Sequence, residues 1–218
     1  MLETRYYMLG EKTLVIESPP PVSLSVQQRI WGLAQTVIHE PTVAEVVPGM
    51  NNITIHLTHI PTSKQEAIAC LKRWWNDAES YQPHSRNIDI PVIYGKHYGP
   101  DLLSMAEQVG LTPQQVVEQH TAARYTVFFI GFKPGFPYLS GLSPALACPR
   151  LAVPRLRVPA GSVGIAGSQT GIYPLASPGG WQIIGQTSHQ LFDEKRADPF
   201  LLRPGDTVRF LPQKEGVC

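Results

Sequence analysis

Between Gly131 and Gly185 the chain reads GFKPGFPYLSGLSPALACPRLAVPRLRVPAGSVGIAGSQTGIYPLASPGGWQIIG. Ten of its 18 glycines and eight of its 21 prolines fall in these 55 residues. Proline removes a backbone donor and glycine gives up helix stability, so no helix runs through that density of breakers. The segment must fold as short strands joined by tight turns. Glycine is also used where a main chain approaches a ligand or another chain closely. The polar residues among these glycines, Arg155, Ser162, Gln169 and Thr170, are therefore the first candidates for a site.

A length of 218 residues allows one large domain or two small ones, with ample chain for a core. Hydrophobic content of 43% and charged content of 16% describe an ordinary globule. A formal net charge of +1 supplies no basic field, which argues against nucleic acid or an anionic membrane as partner. The opening MLETRYYMLGEK carries charges and no long apolar run, so neither a signal peptide nor a spanning helix is expected. Cys70, Cys148 and Cys218 are odd in number and far apart, the thiol usage of a reducing compartment, and a cytoplasmic location is expected.

Two halves differ in style. Up to residue 85, strands and helices alternate: Thr13 to Glu17, a helix opened by Ser25 and Gln28, Val43 to Val47, Ile53 to Leu57, and a helix opened by Ser63 and Glu66. With Ile88 to Tyr94 as the returning strand the order is β-α-β-β-α-β, a ferredoxin-like α+β layer. The polar YQPHSR stretch (81–86) is the expected hinge, giving an N-terminal α+β domain over 1–85 and a second domain over 86–218. The second opens with helices from Asp101 and from Pro113, the latter boxed by Thr112 and Gln115. After Arg124 to Ile130 everything reads as a compact β-barrel or sandwich, closing with Thr207 to Leu211.

Each chemical reading has a plainer rival. Gly161, Gly164 and Gly167 are spaced by three, which is neither GxGxxG nor a P-loop, and turns between barrel strands explain them adequately. Arg150, Arg155 and Arg157 suit a carboxylate or phosphate, or are simply solvated. Ser162, Gln169 and Thr170 offer hydroxyl and amide groups, or ordinary turn polarity. Trp181 either walls a pocket or plugs the barrel. His120 ends a helix just before the barrel, where it can reach a cleft as acid or base, or merely complement the helix dipole. No HExxH, CxxC or GxSxG occurs, so neither a metal site nor an autonomous hydrolase is expected. The helical pair lacks Lys or Arg on its second helix, which disfavours DNA reading. The GFKPGFPYL loop carries more apolar and aromatic residues than a core can absorb, so Phe136 and Tyr138 are expected to meet a partner chain.

Two motifs, GFKPGFPYLSGL and RVPAGSVGIAGSQTGIYPLASPGGWQIIG, closely resemble the family of the 5-oxoprolinase B subunit, also named for allophanate hydrolase subunit 1 and for a sporulation-kinase inhibitor. HTAARYTVFFIGF, LFD at Leu191 to Asp193 and RPGDTVRF at Arg203 to Phe210 extend the resemblance along the chain. The resemblance implies a cyclophilin-like β-barrel after the N-terminal domain, as in the carboxyltransferase part of urea carboxylase. It implies a direct heteromer with a C subunit, an A subunit completing the enzyme, and ATP-driven opening of 5-oxoproline to glutamate. ATP would be used by the complex, with its binding subunit unassigned. Arg155 would meet a substrate carboxylate or phosphate, His120 would move protons, and Ser162, Gln169 and Thr170 would bind substrate. Two other roles follow from the family's names and fold: inhibition of a sensor histidine kinase, or a carboxyltransferase component acting on urea- or allophanate-type amides. Prolyl isomerase activity is not expected, because fold alone does not carry function.

Overall fold

Local capping and hairpin signals build the first part of the chain. In the computed structural model, which describes residues 3–214, the chain separates into two units, one ending at Pro83 and one starting at His84. Cys218 lies outside the described residues. In the first unit β1 (Arg5–Met8) and β2 (Thr13–Glu17) pair as a hairpin. Helix α1 (Leu24–Val37), strands β3 (Val43–Pro48) and β4 (Asn52–Leu57), and helix α2 (Lys64–Asp77) follow. Ser63 caps α2 as its sequence implies, accepting from the Glu66 amide at 3.1 Å. The cap of α1 is Ser23 rather than Ser25: its hydroxyl accepts from the Val26 amide at 3.3 Å, and the helix starts earlier.

The sheet runs β1-β2-β4-β3 with antiparallel neighbours. Strands β2, β4 and β3 take the split β-α-β arrangement of a ferredoxin-like layer, but the fourth place is filled differently. Arg5–Met8 occupies the edge beside β2, and Asn87–Tyr94, expected in this layer, belongs to the other unit. Ile30, Leu33 and Val37 of α1 and Ala67, Leu71 and Trp75 of α2 bury themselves with Leu14, Ile16, Ile53 and Ile55 of the sheet. Each large apolar side chain among them contributes about 1.5–3 kcal/mol by leaving water.

The second unit holds β5 (Asn87–Tyr94), α3 (Leu102–Val109), α4 (Pro113–Ala122), β6 (Tyr125–Ile130), β7 (Pro137–Ser140), β8 (Arg155–Val158), β9 (Ser162–Ala166), β10 (Gln169–Ile172), β11 (Ser177–Gly179), β12 (Gln182–Gln186) and β13 (Thr207–Gln213). Seven strands close a barrel in the order β10-β7-β6-β13-β5-β12-β9, while β8 and β11 form a separate two-stranded ribbon. The protein is thus α+β with a closed barrel, which leaves its barrel strands no open edge. Strand β5 is drawn into it by a parallel register with β13 from Asn87↔Thr207 to Ile93↔Gln213. The Thr112/Gln115 capping box with Pro113 forms at the start of α4.

Alternation along β9 and β12 separates two apolar clusters. Val163, Ile165 and Ile184 point into the barrel with Val92, Val127, Leu139 and Phe210, where Met105 and Val116 of the helices join them. Ala166 and Ile183 point the other way and pack with Phe136, Val158, Tyr173 and Trp181. Gly161 and Gly167 make turns flanking β9, with φ of 79° and 58°. Gly164 instead lies within the strand, correcting the expectation of a turn, and a Cβ there would sit 3.1 Å from the Trp181 Cβ.

Among the described residues no helix is long and apolar enough to cross a membrane. One buried carboxylate ties both ends of the barrel chain. Asp206 accepts from the Arg86 amide at 3.1 Å, from Arg86 Nη2 at 2.5 Å and from the Arg203 amide at 2.8 Å. Asp206→Ala is expected to cost about 3 kcal/mol by leaving these donors unpaired. Urea unfolding followed by circular dichroism checks this, and an unchanged midpoint would show that the donors find water instead.

Candidate functional site

The two long glycine- and proline-rich motifs meet in space. GFKPGFPYLSGL supplies Phe132, Phe136 and Tyr138, and the later motif supplies Tyr173 and the Pro178–Trp181 turn, with Arg150 and Pro154 completing the wall. They enclose a cavity of about 260 Å³ on the outer side of the barrel. Phe136 is its hub, edge-on to Phe132 at 5.5 Å, to Tyr173 at 5.2 Å and to Trp181 at 5.4 Å. Such edge-to-face geometry matches the positive rim of one ring to the negative face of the next.

Glycine and strain fix this wall. A Cβ at Gly179 would lie 2.2 Å from the Tyr173 hydroxyl oxygen, so only glycine lets the ribbon close over that phenol. Burial pushes the Tyr138 and Tyr173 phenols above their ordinary value, and the positive charge of Arg150 opposes the rise at both. Phe132 adopts φ of 62°, a left-handed conformation that costs a side-chain-bearing residue roughly 1–2 kcal/mol. Its side chain stands 56% exposed at the cavity mouth.

Phe136 is only 1% exposed, which corrects its expected partner-facing role. The left-handed Phe132 and the positive φ of Gly135 turn the loop so that Phe132 faces out and Phe136 faces in. Tyr138 is partly buried, stacked on Phe129 at 4.2 Å, and lines the cavity.

The other expected site residues do not gather at the cavity. Arg155 Nη2 donates to Asp101 Oδ1 at 2.5 Å, and Asp101 Oδ2 accepts from the Ile183 amide at 2.6 Å. Arg155 Nη1 is buried with no hydrogen-bond partner. An open arginine for an anion is thereby corrected to a half-committed one. Ser162 is 2% exposed on β9, opposite Gln186 of β12. Gln169 is partly buried at the start of β10, opposite Ala166.

His120 and Thr170 do meet, but inside the barrel. His120 is fully enclosed, stacked on Phe210 at 4.5 Å, so the cleft-facing acid or base is corrected to a core residue. Its surroundings fix its tautomer. The Thr170 hydroxyl gives its proton to the Gly164 carbonyl at 2.9 Å and therefore accepts from His120 Nε2 at 3.0 Å. His120 Nδ1 then accepts from the Tyr94 hydroxyl at 2.8 Å. The result is a one-directional chain of neutral groups. Sequence reasoning finds His120 and Thr170 but misses Asp101, Tyr94 and Tyr173, whose partners are distant in sequence and leave no local signal.

Burial lowers the His120 pKa to about 3. Stability tied to its neutral form is complete above about pH 6.5, the unfolded value. It is lost as pH falls from there toward 3, because only the unfolded chain then takes the proton. The stability advantage of the parent over His120→Gln should shrink by up to about 1.4 kcal/mol per pH unit below about pH 6. Denaturant titrations at several pH values measure this, and a pH-independent difference would contradict an enclosed neutral imidazole.

Comparison with known proteins agrees with this architecture. The carboxyltransferase domain, subdomain C and D, family matches residues 4–202. The chain is 56% identical over 218 residues to the B subunit of 5-oxoprolinase from Escherichia coli O157:H7, covering 100% of both. The crystal structure of TTHA0988 superposes with a TM-score of 0.77 at 34% identity, covering 95% of this chain but only 41% of that longer one. Urea carboxylase of Kluyveromyces lactis shares the fold, with a TM-score of 0.78 at 22% identity over 97% of this chain and 22% of that one. From its end-to-end likeness to these sequences, the chain belongs to the family of the 5-oxoprolinase B subunit, on the carboxyltransferase subdomain C and D fold.

Proposed function

We propose that the chain is a non-autonomous subunit of an ATP-dependent 5-oxoprolinase, acting with C and A subunits to hydrolyse 5-oxo-L-proline to L-glutamate. The observation that carries this reading is the 56% identity, end to end, with a protein named as the B subunit of that enzyme. An unstrained lactam is a poor electrophile because amide resonance protects its carbonyl carbon. Transfer of the γ-phosphoryl group of ATP to the lactam oxygen, with release of ADP, makes that carbon attackable by water. Once water has added, the ring C–N bond breaks as the nitrogen takes a proton, and a second water hydrolyses the acyl phosphate left behind to phosphate and glutamate. Such chemistry depends on positioning and on stabilising developing charge.

The groups of this chain suit binding better than turnover. His120 is enclosed and stays neutral near pH 7, and Arg155 is held by Asp101. A subunit of this kind contributes contacts and leaves acid–base work to the assembly. The contact surface we favour is the β8–β11 ribbon and its approach, where Val153 is 81% and Leu156 92% exposed. Side chains of that size left so open on neighbouring positions suit the apolar centre of a protein interface.

Co-expression with C and A subunits, followed by 5-oxoproline-dependent ATP hydrolysis and glutamate release, tests the reading. Omitting this chain should abolish both products, and Leu156→Asp should lower co-purification of the C subunit several-fold. Full activity without this chain would overturn the subunit assignment. Unchanged co-purification of Leu156→Asp would move the contact away from the ribbon.

A further inference from the structure

The charge pattern around the cavity points to its ligand. From Gln119 to Phe192 the sequence contains no Asp or Glu, yet it carries Arg124, Lys133, Arg150, Arg155 and Arg157. Every residue lining the cavity comes from this acid-free stretch. Arg150 is exposed at its edge and makes no hydrogen bond or ion pair with the described residues, yet its charge is felt at both the Tyr138 and Tyr173 hydroxyls. Two phenols and one guanidinium thus line the same cavity, and none of the lining residues is a carboxylate that would neutralise them.

Arg155 lies outside the lining and adds only to the positive field felt by the Tyr173 phenol. It is already paired to Asp101, so the unneutralised charge at the cavity is that of Arg150, and it calls for an anion. The remaining walls, Phe132, Phe136 and Trp181, call for a flat apolar body beside it.

Size narrows the choice further. At about 30 Å³ for each water-sized group, a cavity of about 260 Å³ has room for roughly nine of them. A five- or six-membered ring bearing one carboxylate is of that size.

We propose that this cavity binds a small ring carboxylate, its carboxylate on Arg150 and the Tyr138 hydroxyl, its ring against Phe136 and Trp181, and the strained Phe132 closing the mouth. The identity of the ring as 5-oxo-L-proline rests on the oxoprolinase reading; the preference for an anionic ring does not. Arginine is suited to this role because its planar fork meets both carboxylate oxygens, which lysine cannot reproduce. Holding Phe132 in a left-handed conformation is reasonable where contact with a ligand compensates the strain.

The test uses the full chain and the co-purified complex, with 5-oxo-L-proline, 2-pyrrolidinone and benzoate as probes. Calorimetry on both materials should show 5-oxo-L-proline binding at least about tenfold tighter than 2-pyrrolidinone, which has the same ring without the carboxylate. Arg150→Ala should abolish that preference and Arg150→Lys restore it only in part, with the thermal unfolding midpoint unchanged in both. In the complex, Arg150→Ala should raise KM for 5-oxo-L-proline at least about tenfold with little change in kcat. Arg150-dependent binding of benzoate but not of 5-oxo-L-proline would keep the site for an anionic ring and overturn its assignment to 5-oxo-L-proline. An active complex whose KM and ligand affinity are unaffected by Arg150→Ala would overturn the site and leave the oxoprolinase reading standing.

Discussion

One buried carboxylate, that of Asp101, holds together the parts of the barrel unit that matter for function. It stands at the start of α3, accepts from the Ile183 amide of β12 and receives Arg155 of β8. Its own amide donates to the Ile183 carbonyl at 2.9 Å, so helix and barrel strand are pinned in both directions. Arg155 in turn sits opposite Gly179 in the ribbon, and Gly179 is the residue packed against the Tyr173 phenol. Helix α3, barrel and ribbon thus share one anchor, and the ribbon contributes Pro178 and Gly179 to the cavity wall. Charge-assisted bonds of this kind are roughly twice as strong as neutral ones, which suits them to fixing geometry.

The barrel uses its two faces for different physical tasks. Inside, His120 links Tyr94 to Thr170 in a chain of neutral groups that gives both imidazole nitrogens a partner without a charge. A network of that kind specifies one register of strands around the helix that ends it. Outside, the same strands turn Ala166 and Ile183 away from the barrel interior, and an aromatic wall with one unneutralised cation, Arg150, lines the cavity there. Gly164 serves both sides: its carbonyl receives Thr170, and its missing side chain lets Trp181 approach.

What the sequence makes legible is local. The caps at Ser63 and Thr112 depend on side chains three residues away, and both are formed. The breaker-rich stretch yields short strands and turns because glycine and proline act on their own backbone. What it hides is pairing at a distance. Nothing within Asn87–Tyr94 announces that its parallel partner is Thr207–Gln213, so chain order alone puts that strand in the wrong layer. Asp101 reads as a helix start because its partners lie 54 and 82 residues away. Phe136, expected to face out, is turned inward by backbone angles at Phe132 and Gly135 that the letters GFKPGF do not state. His120 is visible as a candidate, but its enclosure depends on Phe210 and Tyr94 arriving from opposite ends of the unit.

The central claim is that the converged motifs form a ligand cavity walled by Trp181. The chain has four tryptophans, and the other three, Trp31, Trp74 and Trp75, lie in the first unit. Labelling with 5-fluorotryptophan therefore gives one ¹⁹F resonance that reports on the cavity and three that do not. Titration of the full chain with 5-oxo-L-proline should shift the Trp181 signal, assigned by Trp181→Phe, and leave the others in place. Saturating ligand that binds the complex yet leaves Trp181 unmoved would contradict the account.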